Sequence, residues 1–266
     1  MPASPRRFVP FLFAVALLLP AAVPVSAGDD SAVASAEATA LAYANKQRIA
    51  RGLVPLRLDT RLQEIAHGRA VTMASENSLS HDQADGNNVF DLMSEADIVR
   101  YRAGEIIAYN YTSDYLASAK GAILQWIGSA PHRAILLSAD YNYVAFGMAV
   151  HESGRRYWAG VFIKGPDRSP AWSTLYTPIK EAYSATRTRV RFRWAGGDTK
   201  LQVLTSGLRS FEIQRRVAGG EWASYGATKA TSLTTSWARG NTYEFRVRAV
   251  DWAGNWGAWK TVTVKL

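Results

Sequence analysis

Residues 144–163 read VAFGMAVHESGRRYWAGVFI and contain the clearest structural signal in the chain. Every second residue of 144–150 is apolar and large, as in a half-buried strand. Residues 152–155, Glu-Ser-Gly-Arg, favour a turn. The apolar residues 157–163 predict a strand that returns antiparallel to the first. We therefore expect a β-hairpin here, as part of a larger sheet.

Helical patterns precede this hairpin in the chain. Residues 36–50 are rich in alanine and favour a helix. Asp59 or Thr60 can cap a second helix, and Ser113 or Asp114 a third. The second helix has one apolar face, formed by Leu62, Ile65, Ala66, Ala70 and Met73. Helices that are segregated from a hairpin-built sheet predict an α+β domain with α-β-α layers.

The last third of the chain has a different pattern. Val190, Phe192 and Trp194 alternate with arginines, and residues 243–249 alternate in the same way. Further apolar runs lie at residues 208–217 and 259–266, and none of these segments has a helical period. Several short strands separated by turn residues predict an all-β sandwich.

The N-terminal segment has the features of a secretory signal peptide. Arg6 and Arg7 precede the apolar run 8–19, and small residues follow at 25–27. We expect residues 1–27 to be a cleaved signal peptide, no membrane span to remain after cleavage, and the protein to be secreted or associated with the cell envelope.

Two prolines and a glycine in 165–171, GPDRSPA, indicate a break between two domains. The sequence therefore predicts an α+β domain at residues 36–164, a linker at 165–187 and a β-sandwich at 188–266.

The net charge of +9 is unevenly distributed. Residues 28–174 contain 14 Lys and Arg against 16 Asp and Glu, and all four histidines. Residues 175–266 contain 15 basic and 6 acidic residues. The excess positive charge thus belongs to the C-terminal segment, which favours an attachment role there and makes nucleic-acid binding by the whole protein a poor expectation.

The composition excludes several kinds of chemistry. The chain has no cysteine, so it has no disulfide, no Cys-ligated metal and no thiol nucleophile. His151-Glu152 lacks the second histidine of a metalloprotease helix, and no phosphate-binding glycine loop or Gly-x-Ser-x-Gly is present.

Three polar residues in apolar surroundings remain as candidates: His81, Glu105 and His132. Two imidazoles and a carboxylate suit Zn²⁺ or another divalent cation. Their separations of 24 and 27 residues do not by themselves bring them together, so structural histidines are the alternative.

An ordered series of motifs contains these residues. It reads Asn45-x-x-Arg48-x-x-x-Gly52-Leu53-x-Pro55-Leu56, Arg69-Ala70-x-x-Met73-Ala74, Ser80-His81, Gly104-Glu105-x-Ile107-Ala108, Trp126-x-x-Ser129-x-x-His132-Arg133 and Tyr141-x-x-Val144-x-x-Gly147. The series resembles the CAP superfamily of cysteine-rich secretory, antigen 5 and pathogenesis-related proteins, in its cysteine-free bacterial branch. The SCP-like extracellular CAP domain would cover residues 36–164.

This resemblance implies an α-β-α sandwich with a solvent-facing groove, in which His81, Glu105 and His132 converge as a metal site. Two positions depart from the family pattern. Ile106 replaces the usual asparagine, and Ser129 stands where many eukaryotic members have a second glutamate. The resemblance therefore implies a three-residue site, and it does not imply one particular activity.

The C-terminal segment resembles fibronectin type III-like modules through residues 243–259, YEFRVRAVDWAGNWGAW. Arg189, Arg191 and Arg193 share one strand face, and Arg246 and Arg248 share another. If these strands are neighbours, their guanidinium groups form a basic plate that attracts an anionic cell-envelope polymer or polysaccharide. The alternative is a solvated face whose arginine stems cover aromatic rings.

These observations lead to three hypotheses. The first is a secreted CAP-domain protein, more a binding module than an enzyme, whose groove binds a divalent cation and a further ligand and whose basic module tethers it. The second is a metal-dependent, peptidase-like hydrolase in which Glu105 is a ligand or the general base. The third is a purely adhesive cell-envelope protein.

Overall fold

The computed structural model describes residues 27–266, with side chains from residue 30 onward. The expected signal peptide, residues 1–27, lies outside the described residues except for Ala27, where the first helix begins. No helix in the described part of the chain is both long enough and apolar enough to cross a membrane.

The N-terminal region contains a four-stranded mixed sheet and five helices among the described residues. The elements in chain order are α1 (Ala27–Ile49), β1 (Arg57–Leu58), α2 (Thr60–Ser75), α3 (Val89–Glu95), β2 (Arg102–Asn110), α4 (Tyr115–Gly128), α5 (Ala130–Leu136), β3 (Tyr143–Val150) and β4 (Arg156–Lys164). The strand order is β1-β3-β4-β2. Strands β3 and β4 pair antiparallel, which confirms the predicted hairpin, and β1 pairs parallel with β3.

Helices cover both faces of this sheet. On one face, α1 and α4 pack against side chains such as Phe146 and Trp158. On the other, α2 packs against the residues that alternate with these, such as Ala145 and Val161. The buried residues of α2 include the predicted Leu62, Ala66, Ala70 and Met73. The mixed α and β composition agrees with the predicted fold class.

Two aspartates begin the helices that the sequence predicted at those points. The Asp59 carboxylate accepts a hydrogen bond from the Arg61 amide at the start of α2. The Asp114 carboxylate accepts one from the Ala117 amide at the start of α4. Such caps satisfy amides that have no partner within the helix.

The C-terminal region is all-β. Its strands are β5 (Trp172–Leu175), β6 (Ile179–Ala182), β7 (Arg187–Gly197), β8 (Leu208–Val217), β9 (Ala223–Thr228), β10 (Ser232–Ala238), β11 (Thr242–Asp251) and β12 (Lys260–Lys265). One sheet has the order β10-β7-β5, with β6 also paired to β7, and the other has the order β12-β11-β8-β9. Inward side chains of both sheets, such as Phe192 and Phe245, stack at 4.0 Å between ring centroids and share one core.

Two of these strands lie where the sequence predicts a linker. Strands β5 and β6 fall within residues 165–187, and both pair antiparallel with β7. All four residues of β6 are exposed, so this strand lacks the apolar alternation by which strands are recognised in a sequence. Backbone pairing to β7, rather than burial of its own side chains, holds it in the sheet.

The β7–β8 connection contacts the N-terminal region. Leu201 is buried in the cluster that contains α2 residues. The Gln202 side chain accepts a hydrogen bond of 2.7 Å from the Val54 amide. Asn142 donates to the carbonyls of Gly165 and Val203. The two regions are therefore joined by packing and by hydrogen bonds as well as by the chain itself.

Helix α2 approaches β3 most closely at Gly147. A Cβ atom at this position would lie 2.0 Å from the Ala66 carbonyl oxygen, closer than any real contact. We predict that Gly147→Ala lowers the free energy of unfolding by about 3 kcal/mol or more, because the helix must move away from the sheet. Urea denaturation measures this change.

Gly68, on the exposed side of the same helix, provides the control. A Cβ atom there meets nothing within 4 Å. Gly68→Ala should raise the stability by about 1 kcal/mol, since alanine favours the helix over glycine. A Gly147→Ala variant as stable as the original protein would show that α2 does not pack in this way.

Candidate functional site

A buried ion pair lies between α2 and β2. The Arg69 Nε donates a hydrogen bond of 2.8 Å to Glu105 Oε1. Both side chains are almost fully withdrawn from water, with exposures of 0% for Arg69 and 2% for Glu105. Each charge is costly to bury alone, so each residue stabilises the other in this place, and removal of one charge costs about 3–5 kcal/mol.

Glu105 also orients His81. Its second oxygen, Oε2, lies 2.7 Å from Nδ1 of His81. The hydrogen bond to this carboxylate raises the pKa of His81, against the opposing effect of partial burial. Because Nδ1 faces the carboxylate, Nε2 is the ring nitrogen left to meet a ligand.

Arg69 fixes the backbone that carries His81. A terminal nitrogen of its guanidinium donates to the carbonyl oxygens of Ser80 and His81, at 2.7 and 2.9 Å. The other terminal nitrogen is buried without a hydrogen-bond partner. Arg69 therefore positions the His81 imidazole in two ways. It orients Glu105, which is hydrogen bonded to the ring, and it holds the backbone of the turn that carries His81.

His132 lies on α5 and does not join this hydrogen-bonded group. Partial burial lowers its pKa, and the charge of nearby His81 lowers it further. The ligand atoms of His81, Glu105 and His132 are not all within 4.8 Å of one another. Among the described residues, only a different group of three acidic or histidine side chains meets this distance. The structure thus brings His81 and Glu105 into contact and leaves His132 as a separate neighbour.

A groove of about 430 Å³ opens beside the pair. Its lining combines polar and apolar side chains from α3, β2 and α5 with the segment after α2: His81, Asp82, Asn88, Val89, Phe90, Arg102, Ala103, Gly104, Glu105, Ile135 and Tyr141. His132 is one helical turn before Ile135 on α5, so both residues face the same side of that helix.

Of the three candidate residues, the two histidines are better placed to bind a divalent cation than Glu105 is. Both oxygens of Glu105 already accept hydrogen bonds, from Arg69 and from His81. Nε2 of His81 has no hydrogen-bond partner among the described residues and lies on a half-exposed ring. Glu105 therefore matches the role of the carboxylate that supports a metal-binding histidine from behind.

Arg69 is the functional residue that reasoning from chemistry alone missed. The motif series contains it without indicating its role. The available signal was its position on α2, because Arg69 lies among Leu62, Ala66 and Met73 on the buried face. A charged residue on an apolar helix stripe needs a buried partner of opposite charge.

The expected basic plate is not formed by the two groups of arginines together. Arg189 and Arg191 lie on β7, whereas Arg246 and Arg248 lie on β11 in the other sheet. On β11, Arg248 donates to Glu212 and Arg246 donates to Gln214. The combined basic plate required β7 and β11 to be neighbouring strands. They lie in different sheets, so this plate does not form.

Tryptophan rings cover the β11 arginines. The Arg246 guanidinium lies 3.9 Å from the Trp222 ring centroid and 4.2 Å from that of Trp259. Arg248 lies 4.1 Å from the Trp256 centroid. On this face the arginine stems and aromatic rings stack on one another, as in the alternative considered from the sequence.

Comparison with known proteins identifies the class of the N-terminal region. Residues 41–162 match the family model described as CAP, the Cysteine-rich secretory protein family. The matched residues include His81, Glu105 and His132.

The relatives with curated sequences are bacterial. The protein named Uncharacterized membrane protein YlbC from Bacillus subtilis (strain 168) is 32% identical over 130 residues, 49% of this chain and 35% of its own. Uncharacterized protein YkwD from the same organism is 27% identical over 133 residues, 50% of this chain and 49% of its own. The chain therefore spans between a third and a half of the length of these relatives.

Among solved structures, an extracellular protein containing a SCP domain from Bacillus anthracis str. Ames is similar, with 22% identity and a TM-score of 0.44. The match covers 54% of this chain and 45% of that one.

The contact with Glu105 predicts the titration of His81. Since its pKa is raised on folding, the imidazolium–carboxylate pair stabilises the fold below the ordinary histidine pKa of about 6.5. That contribution is lost as the pH rises through the raised pKa. In Glu105→Gln, which keeps an acceptor for Arg69, the pKa of His81 should fall. NMR titration of the metal-free protein measures it.

Glu152→Gln removes a carboxylate from the exposed hairpin and serves as the control. It should leave the His81 titration unchanged. If His81 titrates in Glu105→Gln as it does in the original protein, the hydrogen bond is not the cause of the shift.

Proposed function

We propose that the CAP domain is a binding module whose groove holds a divalent cation, Zn²⁺ in the first instance, through His81 and His132. The observation that carries this proposal is the buried Arg69–Glu105 pair, which holds His81 with Nε2 free for a ligand. Glu105 acts as the support of His81 rather than as a ligand. A bound ion would supply a Lewis-acidic point to which an anionic or carbonyl group of a second ligand can attach.

Partial burial makes His132 a better ligand for a cation. The lowered pKa keeps this imidazole neutral at pH values where an ordinary histidine begins to protonate. His81 behaves in the opposite way, since its raised pKa makes protons compete with the cation at mildly acidic pH. The groove should therefore release its cation as the pH falls.

The alternative is a metal-dependent, peptidase-like hydrolase in the same groove. Such an enzyme needs a general base within reach of the attacking water. Glu105 is 2% exposed, and both of its oxygens are already hydrogen bonded. This arrangement suits positioning better than proton transfer to a substrate, so we favour the binding module.

Titration calorimetry with Zn²⁺ tests the proposal. We expect one equivalent to bind at pH 7.5, and His81→Ala or His132→Ala to remove the binding heat. Glu105→Gln should weaken binding about 10-fold, since supporting carboxylates contribute that much to metal affinity. Binding should also weaken at pH 5.5, because protonated imidazole cannot bind a cation.

His151→Ala is the matched control, because this histidine lies on the β3–β4 hairpin and bonds only to nearby Ser153. It should bind Zn²⁺ as the original protein does. Absence of heat with the original protein would overturn the metal-binding proposal. Zinc-dependent cleavage of a panel of peptides, esters and glycans, lost in His81→Ala, would support the hydrolase instead.

We further propose that the C-terminal region tethers the protein to an anionic envelope polymer through β7 alone. Arg187, Arg189, Arg191 and Arg193 alternate along the exposed face of this strand. The Cα atoms of successive arginines are therefore about 6.8 Å apart along the strand. None of the last three makes an ion pair within 4 Å among residues 27–266.

The neighbouring strand extends this surface with hydroxyl groups. Ser232, Thr234 and Ser236 of β10 lie opposite Arg193, Arg191 and Arg189. On the other side of β7, Glu181 of β6 lies opposite Arg189 but forms no ion pair with it within 4 Å. A row of cations without ion pairs, next to a row of hydroxyl groups, suits a linear polymer with repeated negative charges. In this proposal, attachment to the envelope through β7 is one part of the function, and cation binding in the groove is the other.

Chromatography of the full chain on immobilised inorganic polyphosphate tests the tether. We expect retention that decreases with salt, because exposed charges are screened. Replacing the β7 arginines should cause earlier elution, in the variant Arg189→Gln/Arg191→Gln/Arg193→Gln.

A control with the same loss of charge separates local from global effects. It replaces exposed residues of the N-terminal region, in the variant Lys46→Gln/Arg51→Gln/Arg57→Gln, and should elute with the original protein. Equal shifts for the two variants would mean that net charge, not the β7 row, causes retention.

A further inference from the structure

Three aspartates converge near the junction of the two regions. Asp167 follows β4, Asp198 follows β7, and Asp251 is the last residue of β11. One carboxylate oxygen from each lies within 4.8 Å of the other two. Asp167 is 8% exposed and Asp251 is fully buried. Three groups that are negatively charged in water are thus held together in a largely dry place.

No counter-charge accompanies them among the described residues. No lysine, arginine or histidine of residues 27–266 forms an ion pair with any of the three. Their hydrogen-bond donors are neutral: the Ser169 and Ser206 amides for Asp167, and Asn255 for Asp251. Buried carboxylates without a cation are strongly unfavourable, so this arrangement favours the uptake of either a cation or a proton.

An oxygen of Asp198 gives an independent indication. Its Oδ2 accepts hydrogen bonds from the Ser206 hydroxyl and the Gly207 amide. Its Oδ1 is buried and has no hydrogen-bond partner. Burial raises the pKa of Asp198, and the charges of Asp167 and Asp251 raise it further. A buried acceptor without a donor calls for an explanation, and a bound cation is one.

We propose that Asp167, Asp198 and Asp251 bind a Ca²⁺ ion. Ca²⁺ takes oxygen ligands at 2.3–2.6 Å, so ligands on opposite sides of one ion are about 5 Å apart, which matches the observed spacing. The donors are all carboxylate oxygens, whereas Zn²⁺ prefers the imidazole nitrogens of the groove. Mg²⁺ requires a tighter octahedral shell and retains its water.

The ion would join three separate segments of the chain. Asp198 begins the connection that carries Leu201 and Gln202 into contact with the N-terminal region. Asn255 already links two of these segments, since its side chain donates to the Asp251 carboxylate and to the backbone carbonyl of Asp167. Calcium would therefore stabilise the contact between the CAP domain and the β-sheets. Extracellular calcium modules commonly bind with Kd values of about 10⁻⁴–10⁻³ M, in the range of calcium outside cells.

Thermal unfolding of the full chain in Ca²⁺ and in EDTA tests the proposal. With Ca²⁺ at about 10 mM, Tm should rise by about 3 °C or more, since a ligand bound only to the folded state stabilises it. Mg²⁺ should produce a smaller rise. Tb³⁺, used as a luminescent substitute for Ca²⁺, should be sensitised by nearby tryptophans such as Trp252, and Ca²⁺ should displace it.

Asp198→Asn should abolish both the Tm rise and the Tb³⁺ signal. In EDTA it should be at least as stable as the original protein, because one of three repelling charges is removed; a structural role alone would make it less stable. Asp97→Asn is the matched control. Asp97 is exposed, and asparagine tolerates its positive φ of 50°.

Equal Tm values for the original protein in Ca²⁺ and in EDTA would overturn the proposal, as would a full calcium response in Asp198→Asn. The double variant His81→Ala/His132→Ala should keep the calcium response. Failure of zinc binding in the groove and failure of calcium binding at the junction are thus distinguishable.

Discussion

The sheet of the N-terminal region is buried on both faces, and this constraint determines how its polar residues can be used. In β4, seven consecutive residues from Tyr157 to Ile163 are buried. In β2, burial runs from Gly104 to Ala108 and includes a glutamate. A strand covered on both sides offers no solvent to a polar side chain, so each such residue must find its partner within the protein. Glu105 finds it in α2.

The candidate site follows from that requirement. Glu105 and Ile107 point to the α2 face of the sheet, while Ile106 and Ala108 point to the α1 and α4 face. Arg69 neutralises Glu105, and one terminal nitrogen of its guanidinium reaches the turn that carries His81. His81 itself is 55% exposed. Its position is therefore set by a buried pair behind it, which allows a surface histidine to be both accessible and fixed.

An element could be predicted from the sequence where its residues form a local pattern, such as a turn, an alternation or a helix cap. The β3–β4 hairpin has a turn and alternation, and α2 and α4 have aspartate caps, so all three could be predicted. Strand β2, RAGEIIAYN, is buried on both faces and therefore has no alternation, and its short apolar run IIAY does not distinguish a strand from a buried helix. Strand β6 is exposed and has no apolar pattern at all. Convergence of distant residues, such as Asp167 with Asp251, leaves no local pattern, because it depends on how the sheets are joined.

The net charge of the C-terminal region does not show which of its arginines have partners. The C-terminal region is strongly basic, but its two sheets use their arginines differently. On β11, Arg246 and Arg248 are enclosed by tryptophan rings and by Glu212 and Gln214, so their charge is largely satisfied within the sheet. On β7, hydroxyl residues of β10 lie opposite the arginines on one side, and on the other side Glu181 of β6 lies opposite Arg189 without forming an ion pair within 4 Å. Arg248 of β11 is thus paired with Glu212, whereas no arginine of β7 forms an ion pair within the described residues. The pairing within each sheet, more than the total charge, decides which arginines keep an unpaired charge.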